Sequence, residues 1–228
     1  MTTIFVAVCA ALLSLLLFVG DAFAHNVSRE DIQLISGTSG WNFGLFVWLG
    51  AKHMVTGYDH LLFLTGVIFY LNRLRTVAVF VSLFALGHSV TLIAGVALNL
   101  QVNPNLVDAI IGLSVAYKGL DNIGGFQTLF GEAPNEYLAV FIFGLFHGLG
   151  LATKLQELGL HDDGLIANLI SFNFGVEIGQ LTALVALLLV LRTIPGRTRG
   201  TTVGTVVNLG LILAGFTLMA YQLFLYVG

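Results

Sequence analysis

Six long apolar segments dominate this chain and restrict what it can fold into. They cover residues 43–71, 76–98, 106–123, 136–154, 164–192 and 203–227. A helix of about 20 residues crosses the hydrocarbon core of a bilayer, and each segment approaches or exceeds that length. Only 9% of the residues are charged, whereas a soluble domain is about 25% charged. The sequence therefore predicts an all-α fold, a polytopic membrane helical bundle.

The first 24 residues have the pattern of a secretory signal peptide. An apolar run at 4–19 is followed by Ala-Phe-Ala at 22–24, a small-residue pattern that precedes cleavage sites. We therefore expect a signal peptide at 1–24, a short exported segment at 25–42 and a transmembrane helical domain at 43–228. Cleavage leaves six transmembrane helices. No Lys or Arg precedes the apolar run, so a retained first helix, giving seven, stays open as the alternative.

Basic residues in the connections predict the orientation. Arg73 and Arg75 follow the first span, and three further arginines lie at 192–199, whereas the connection at 155–163 is acidic. Connections rich in Lys and Arg remain in the cytoplasm. We therefore expect a multi-pass protein with its arginine-rich connections inside and both mature termini outside.

Charge and cysteine content exclude several kinds of site. The net charge is -3 and the sequence contains no basic run, so nucleic-acid binding has no support. Cys9 is the only cysteine in the sequence, which excludes a disulfide within the chain and a thiolate metal site. Imidazole, carboxylate and amide groups remain as candidate metal ligands.

The first apolar segment carries three ionisable groups, His53, Asp59 and His60. Such groups are costly inside a membrane and indicate a functional site. In a straight helix the two histidines share a face but lie about 10.5 Å apart along the axis. Gly57 lies between them, so two alternatives remain: one site on a helix broken at Gly57, or two successive stations along a path. Asp59 is a candidate ligand, or else a partner that orients another ligand.

Later segments supply groups of the same chemistry. We expect six of these side chains to line one polar cavity, because mutual neutralisation around a cation offsets the cost of each in hydrocarbon. The predicted metal ligands are His53, Asp59, His60, His88, His147 and Glu177. The predicted supporting polar residues are Ser89, Thr91, Asn173 and Gln180.

Two stretches of the sequence echo each other. Residues 84–92 read FALGHSVTL and residues 143–151 read FGLFHGLGL, with Phe, Leu, His and Leu at equal positions. Both are predicted to run from inside to outside. A parallel internal repeat is therefore one hypothesis for this pair.

Four short motifs occur in order across residues 43–185. They are His53-x5-Asp59-His60 with Leu61-Leu-Phe, Gly87-His88-Ser-x-Thr91-Leu92, Phe146-His147-Gly148-Leu-Gly150, and Phe172-Asn173-x-Gly175-Val-Glu177-x-Gly-Gln180. Together they resemble the HupE/UreJ family of bacterial membrane proteins, in particular its second, broader branch. The resemblance implies a bacterial inner-membrane location and nickel or cobalt uptake, with the His-x5-Asp-His segment as the site. The chain departs from the hydrogenase-linked members at Lys52, where they carry a His-Pro start.

These observations favour a membrane permease for a divalent transition-metal ion, with no catalytic residues. Nickel or cobalt is expected first, although the ligand chemistry also suits zinc and copper. The sequence lacks Gly-x4-Gly-Lys-Ser/Thr, the pattern of a phosphate-binding loop. Two alternatives stay open: an intramembrane metal-dependent hydrolase that uses Ser89 and Asp59, and an assembly factor that delivers metal to a metalloenzyme. The expected partners are the lipid bilayer and the metal ion, with a metalloenzyme, a transporter component or a second copy as further candidates.

Overall fold

The computed structural model describes residues 31, 34–35, 38–71, 73–157 and 163–228. The predicted signal peptide and its cleavage site lie outside these residues. Within them the chain is helical and contains no strand. The predicted all-α fold is confirmed for this part of the chain.

From residue 43 onward, eight helices follow one another within the described residues. They are α1 (Phe43–Thr56), α2 (Tyr58–Ile68), α3 (Leu74–Ala97), α4 (Pro104–Asn122), α5 (Gly125–Phe130), α6 (Glu136–Glu157), α7 (Leu165–Arg192) and α8 (Thr202–Val227). Side-chain caps fix several of the starts. Asn42 accepts from the Leu45 amide at α1, and Thr201 accepts from the Gly204 amide at α8. Such caps satisfy amides that have no partner within the helix.

Four of the described helices, α3, α6, α7 and α8, are long and apolar enough to cross a membrane. Helices α1 and α2 are shorter, at 14 and 11 residues. Helix α4 has 19 residues but carries Asp108, Lys118 and Asp121. An apolar helical bundle is therefore confirmed, while the total of six spans stays a prediction.

Six of the helices pack in three pairs through glycines. Helix α1 runs parallel to α7, α3 runs parallel to α6, and α4 runs antiparallel to α8. A Cβ at Gly175 would meet the Val47 backbone, and one at Gly144 would meet the Phe84 backbone. The absence of a side chain lets the two backbones approach closely, as is common between helices in lipid. The two echoing stretches belong to α3 and α6 and lie side by side.

The first predicted span is broken in the middle. Gly57 has an extended conformation, with φ -70° and ψ 98°, and separates α1 from α2. At the start of α1, the Asn42 amide donates to Asn168 beside the start of α7. After α2, the Tyr70 hydroxyl accepts from Asn208 near the start of α8. The two short helices therefore lead in succession from one end of the bundle to the other.

Side-chain contacts sort the connections between the two ends. At one end, which we call the arginine end, Arg199 lies 3.5 Å from Glu136 at the start of α6, and Lys118 near the end of α4 lies 3.6 Å from the same residue. The other end, which we call the asparagine end, contains Asn42 and Asn168. At this end Gln101 donates to Gln156 across 2.9 Å. The connections that the arginine pattern predicts on one side of the membrane do lie at one end of the bundle. Which end faces the cytoplasm stays a prediction.

Candidate metal centre

The break at Gly57 brings the two histidines of the first segment together. The ring centroids of His53 and His60 lie 5.0 Å apart, against about 10.5 Å along the axis of a straight helix. His53 occupies the last turn of α1, and His60 the first turn of α2. Of the two alternatives that the sequence leaves open, the geometry matches one site on a broken helix.

A third imidazole comes from α3. One ligand atom from each of His53, His60 and His88 lies within 4.8 Å of the other two. We call these three residues the histidine cluster. With metal–nitrogen bonds of about 2.0–2.1 Å, the nitrogens around one tetrahedral ion lie about 3.3 Å apart. Small side-chain movements therefore suffice for all three imidazoles to bind one ion.

Asp59 orients one of the three rings. Its Oδ1 lies 3.0 Å from Nδ1 of His60, and both side chains are 1% exposed. When Nδ1–H donates to the carboxylate, Nε2 carries the lone pair that a metal needs. Carboxylate partners of this kind fix the tautomer and raise the basicity of a metal-binding imidazole. In this arrangement Asp59 contacts His60 and is not part of the three-histidine cluster.

His147 of α6 lies next to the cluster. Its ring centroid is 4.9 Å from that of His60, and its Nδ1–H donates to the Phe143 carbonyl across 2.7 Å. That bond places the lone pair on Nε2. His147 is fully buried, but the triad that fits within 4.8 Å does not include it. It borders the site on the α6 side.

The surroundings of the cluster are aromatic. Phe84 lies 6.1 Å from His60 and 4.9 Å from His147 between ring centroids, and Phe63 lies 5.5 Å from His147. His60 and His88 are buried, whereas His53 is half-buried. Neutral imidazole is the form that binds a metal ion.

Glu177 is not brought to the cluster. It is exposed on α7, where the neighbouring Phe174, Ile178 and Leu181 are exposed as well. Val176 is buried in the core of the bundle, and the next residue of a helix points about 100° away. The sequence grouped Glu177 with Asn173 on one stripe, but the structure places this part of the stripe at the edge of the buried face.

Two of the four supporting residues tie helices together. Thr91 donates to the Leu145 carbonyl across 2.6 Å and so links α3 to α6. Gln180 donates to the Val81 carbonyl and lines a small cavity next to His60. Asn173 is 8% exposed and donates to the Leu169 carbonyl, and Ser89 is half-buried on α3.

The sequence did not identify Phe84 and Phe63 as walls of the site. One signal was present for Phe84, because it precedes His88 by four residues as Phe143 precedes His147. Residues four apart lie on one face of a helix. In the structure Phe143 supplies the carbonyl that orients His147, and Phe84 supplies an aromatic wall.

A family comparison covers nearly the whole chain. A sequence profile described as HupE / UreJ protein matches residues 29–228, a range that contains all eight helices and the histidine cluster. No curated protein and no solved structure matches the chain.

Proposed function

The chain belongs to the HupE/UreJ family, and on this basis we propose that it is a membrane permease for a divalent transition-metal ion. The observation that carries the proposal is the histidine cluster at the break between α1 and α2. Transporters bind their ions near the bilayer midplane, where discontinuous helices meet. Nickel and cobalt are the expected ions, because the family is associated with them and imidazole is one of their ligands.

The proposal includes six membrane crossings. Helices α1 and α2 together make the first, and α3, α4, α6, α7 and α8 make the others. The charges of α4 are compatible with a crossing because each is paired. Asp108 lies 3.0 Å from Lys154, and Lys118 lies 2.6 Å from Asp121. Pairing lowers the cost of ionisable groups at membrane depth. In this arrangement the arginine end faces the cytoplasm of a bacterial inner membrane.

The ligand set suits an ion that must also leave. Three imidazoles occupy only part of a coordination shell, so water or another ligand completes it. Conduction requires sites that bind well enough to fill and weakly enough to empty. Beyond His60 a small cavity continues past Phe63, Leu64 and Val67. This cavity lies on the side of the cluster that leads along α2 toward the arginine end.

A hydrolase is the second candidate, since three imidazoles also hold catalytic zinc. Transport separates the two hypotheses. Full-length protein is placed in sealed liposomes that contain a fluorescent reporter, and Ni2+ or Co2+ is added outside. We expect metal uptake above that of empty liposomes, and a loss of about tenfold or more in His88→Ala, because even an outer partner of a ligand is worth about 10–100-fold.

The matched control is the same substitution at His161, in the connection between α6 and α7 and outside the described residues. His161→Ala is expected to transport like the parent. Liposomes with the parent protein that accumulate no more metal than empty ones would overturn the permease. Turnover of a peptide or lipid without net metal flux would instead support the hydrolase.

A further inference from the structure

A second polar site lies between the histidine cluster and the asparagine end. The Nζ atom of Lys154 on α6 lies 3.0 Å from Oδ2 of Asp108 on α4. Asp108 is 4% exposed, whereas the Lys154 side chain keeps 17% of its surface exposed. The carboxylate is therefore inside the bundle, and the ammonium that neutralises it reaches in from near the end of α6.

One face of α6 connects this pair to the cluster. His147, Gly150 and Lys154 follow at intervals of three and four residues, which places them on one side of the helix. Gly150 leaves room for the carboxylate, since a Cβ there would lie 3.5 Å from Oδ1 of Asp108. Because one turn rises about 5.4 Å, Asp108 lies about one turn from His147. The His147 ring in turn is 4.9 Å from that of His60.

One further buried oxygen atom lies near the level of Asp108. On α8, Gln222 is 5% exposed, and its Oε1 is buried without a hydrogen-bond partner among the described residues.

The register of α4 and α8 gives the position of Gln222. A Cβ at Gly112 would meet the backbone nitrogen of Met219. Asp108 lies about one turn from Gly112, and Gln222 about one turn from Met219, both toward the asparagine end. A buried amide oxygen with no donor is costly. A cation held by Asp108 would satisfy it.

We propose that Asp108 is a second cation-binding station in front of the histidine cluster. In the structure the Lys154 ammonium occupies it as a tethered cation, and a divalent metal ion displaces the ammonium on its way to the cluster. The proposal rests on the proposed function. It follows from the geometry because a buried carboxylate must keep a positive partner, and only a partner on a flexible, partly exposed stem can exchange with an incoming ion.

The other described lysine pairs have different settings. Lys118 lies near two carboxylates, Asp121 and Glu136, and is buried at the arginine end. Lys52 holds Asp31 at 2.8 Å, and its partner belongs to the segment before α1. Lys52 therefore provides a matched control, a lysine beside a buried aspartate that does not adjoin His147.

The test counts Co2+ ions bound to full-length protein in lipid nanodiscs, with Co2+ as the only added ligand. Lys154→Met keeps the apolar stem and removes the ammonium. We expect it to bind one more Co2+ per chain than the parent, and the double variant Lys154→Met with Asp108→Asn to lose that additional ion. Lys52→Met is expected to bind as many ions as the parent. A folded Lys154→Met protein with the stoichiometry of the parent would overturn the station.

A second variant keeps the proposal testable if Lys154→Met does not fold. Lys154→Arg retains the charge, but the guanidinium binds a carboxylate through two parallel hydrogen bonds and releases it less readily. We expect Co2+ uptake into liposomes to slow by about fivefold or more, while equilibrium binding at the cluster is retained. Uptake at the parental rate would contradict the proposal.

The two proposals fail in different ways. If His88→Ala transports like the parent while Lys154→Met gains an Asp108-dependent ion, the permease site is wrong and the station stands. If His88→Ala loses uptake while Lys154→Met gains no ion, the permease stands and the station is wrong.

Discussion

The Nδ1 atom of His60 lies 3.0 Å from Oδ1 of Asp59, and both side chains are 1% exposed. This contact joins consecutive residues in the first turn of α2, so α2 carries both the imidazole and the carboxylate that orients it. A carboxylate there is also favoured by the positive end of the helix dipole. The contact leaves Nε2 of His60 for the cluster, and it makes Asp59 the residue on which the direction of that ring depends.

Asp59→Asn tests this dependence. The amide keeps the shape of the side chain but loses the negative charge, so the imidazole becomes less basic and its tautomer is no longer fixed. We expect metal affinity to fall about 10–100-fold, the range found for outer partners of ligands. Calorimetric titration with Co2+ measures the affinity. Visible absorption of the bound Co2+ should keep the bands of the parent, because the ligands themselves remain.

The break at Gly57 provides the second prediction. A Cβ at this position would lie 2.8 Å from Nδ1 of His60 and 3.2 Å from Oδ1 of Asp59. Gly57→Ala therefore pushes the two groups away from the cluster. We expect metal binding to weaken about tenfold or more, since the substitution disturbs a ligand together with its orienting partner.

Gly44→Ala is the matched control for that substitution. It adds the same methyl group to α1, where nothing lies within 4 Å of the new atom. Circular dichroism of both variants checks that the helices persist. Equal metal binding by Gly57→Ala and Gly44→Ala would show that the geometry around the break does not determine the site.

The sequence predicted the fold class well because composition alone decides it. A chain with 57% hydrophobic and 9% charged residues has too little polar surface for a soluble fold. The break at Gly57 could only be offered as one of two alternatives, since glycine occurs 27 times in this chain and many of the described glycines serve helix contacts. Gly175 and Gly144, for example, lie inside helices against a partner backbone.

The candidate site was predictable in its chemistry and less so in its membership. His53, His60 and His88 come together, as expected for ionisable groups in apolar segments. The same argument selected Glu177. However, the cost of a charge in lipid does not determine whether a residue at the edge of a buried face points into the bundle or away from it. Asp108 and Lys154 were not recognised as a pair, because they are 46 residues apart and no helical spacing relates them.

Glu177→Gln distinguishes the sequence expectation from the structure. If Glu177 were a ligand, the neutral amide would reduce metal binding about tenfold or more. Its exposed position on α7 predicts the opposite, a change within about twofold, as is usual for substitutions away from buried groups. Calorimetric titration with Co2+ on parent and variant decides it. A tenfold loss would require Glu177 to reach the cluster in another conformation of the protein.

The last prediction concerns orientation. Contacts such as Arg199 to Glu136 group the connection around α5 with the arginine connections, although that connection has no basic residue of its own. The positive-inside rule then places both in the cytoplasm.

Phe130 on α5 is 74% exposed and Leu100 at the asparagine end is 42% exposed, so cysteines at these positions are accessible to a reagent on their own side. In a Cys9→Ser background, an impermeant maleimide added to intact cells is expected to label Leu100→Cys and to spare Phe130→Cys, whereas both react after the membrane is opened. The reverse pattern would invert the protein in the membrane, and it would make the Asp108 station the exit of the path rather than its entrance.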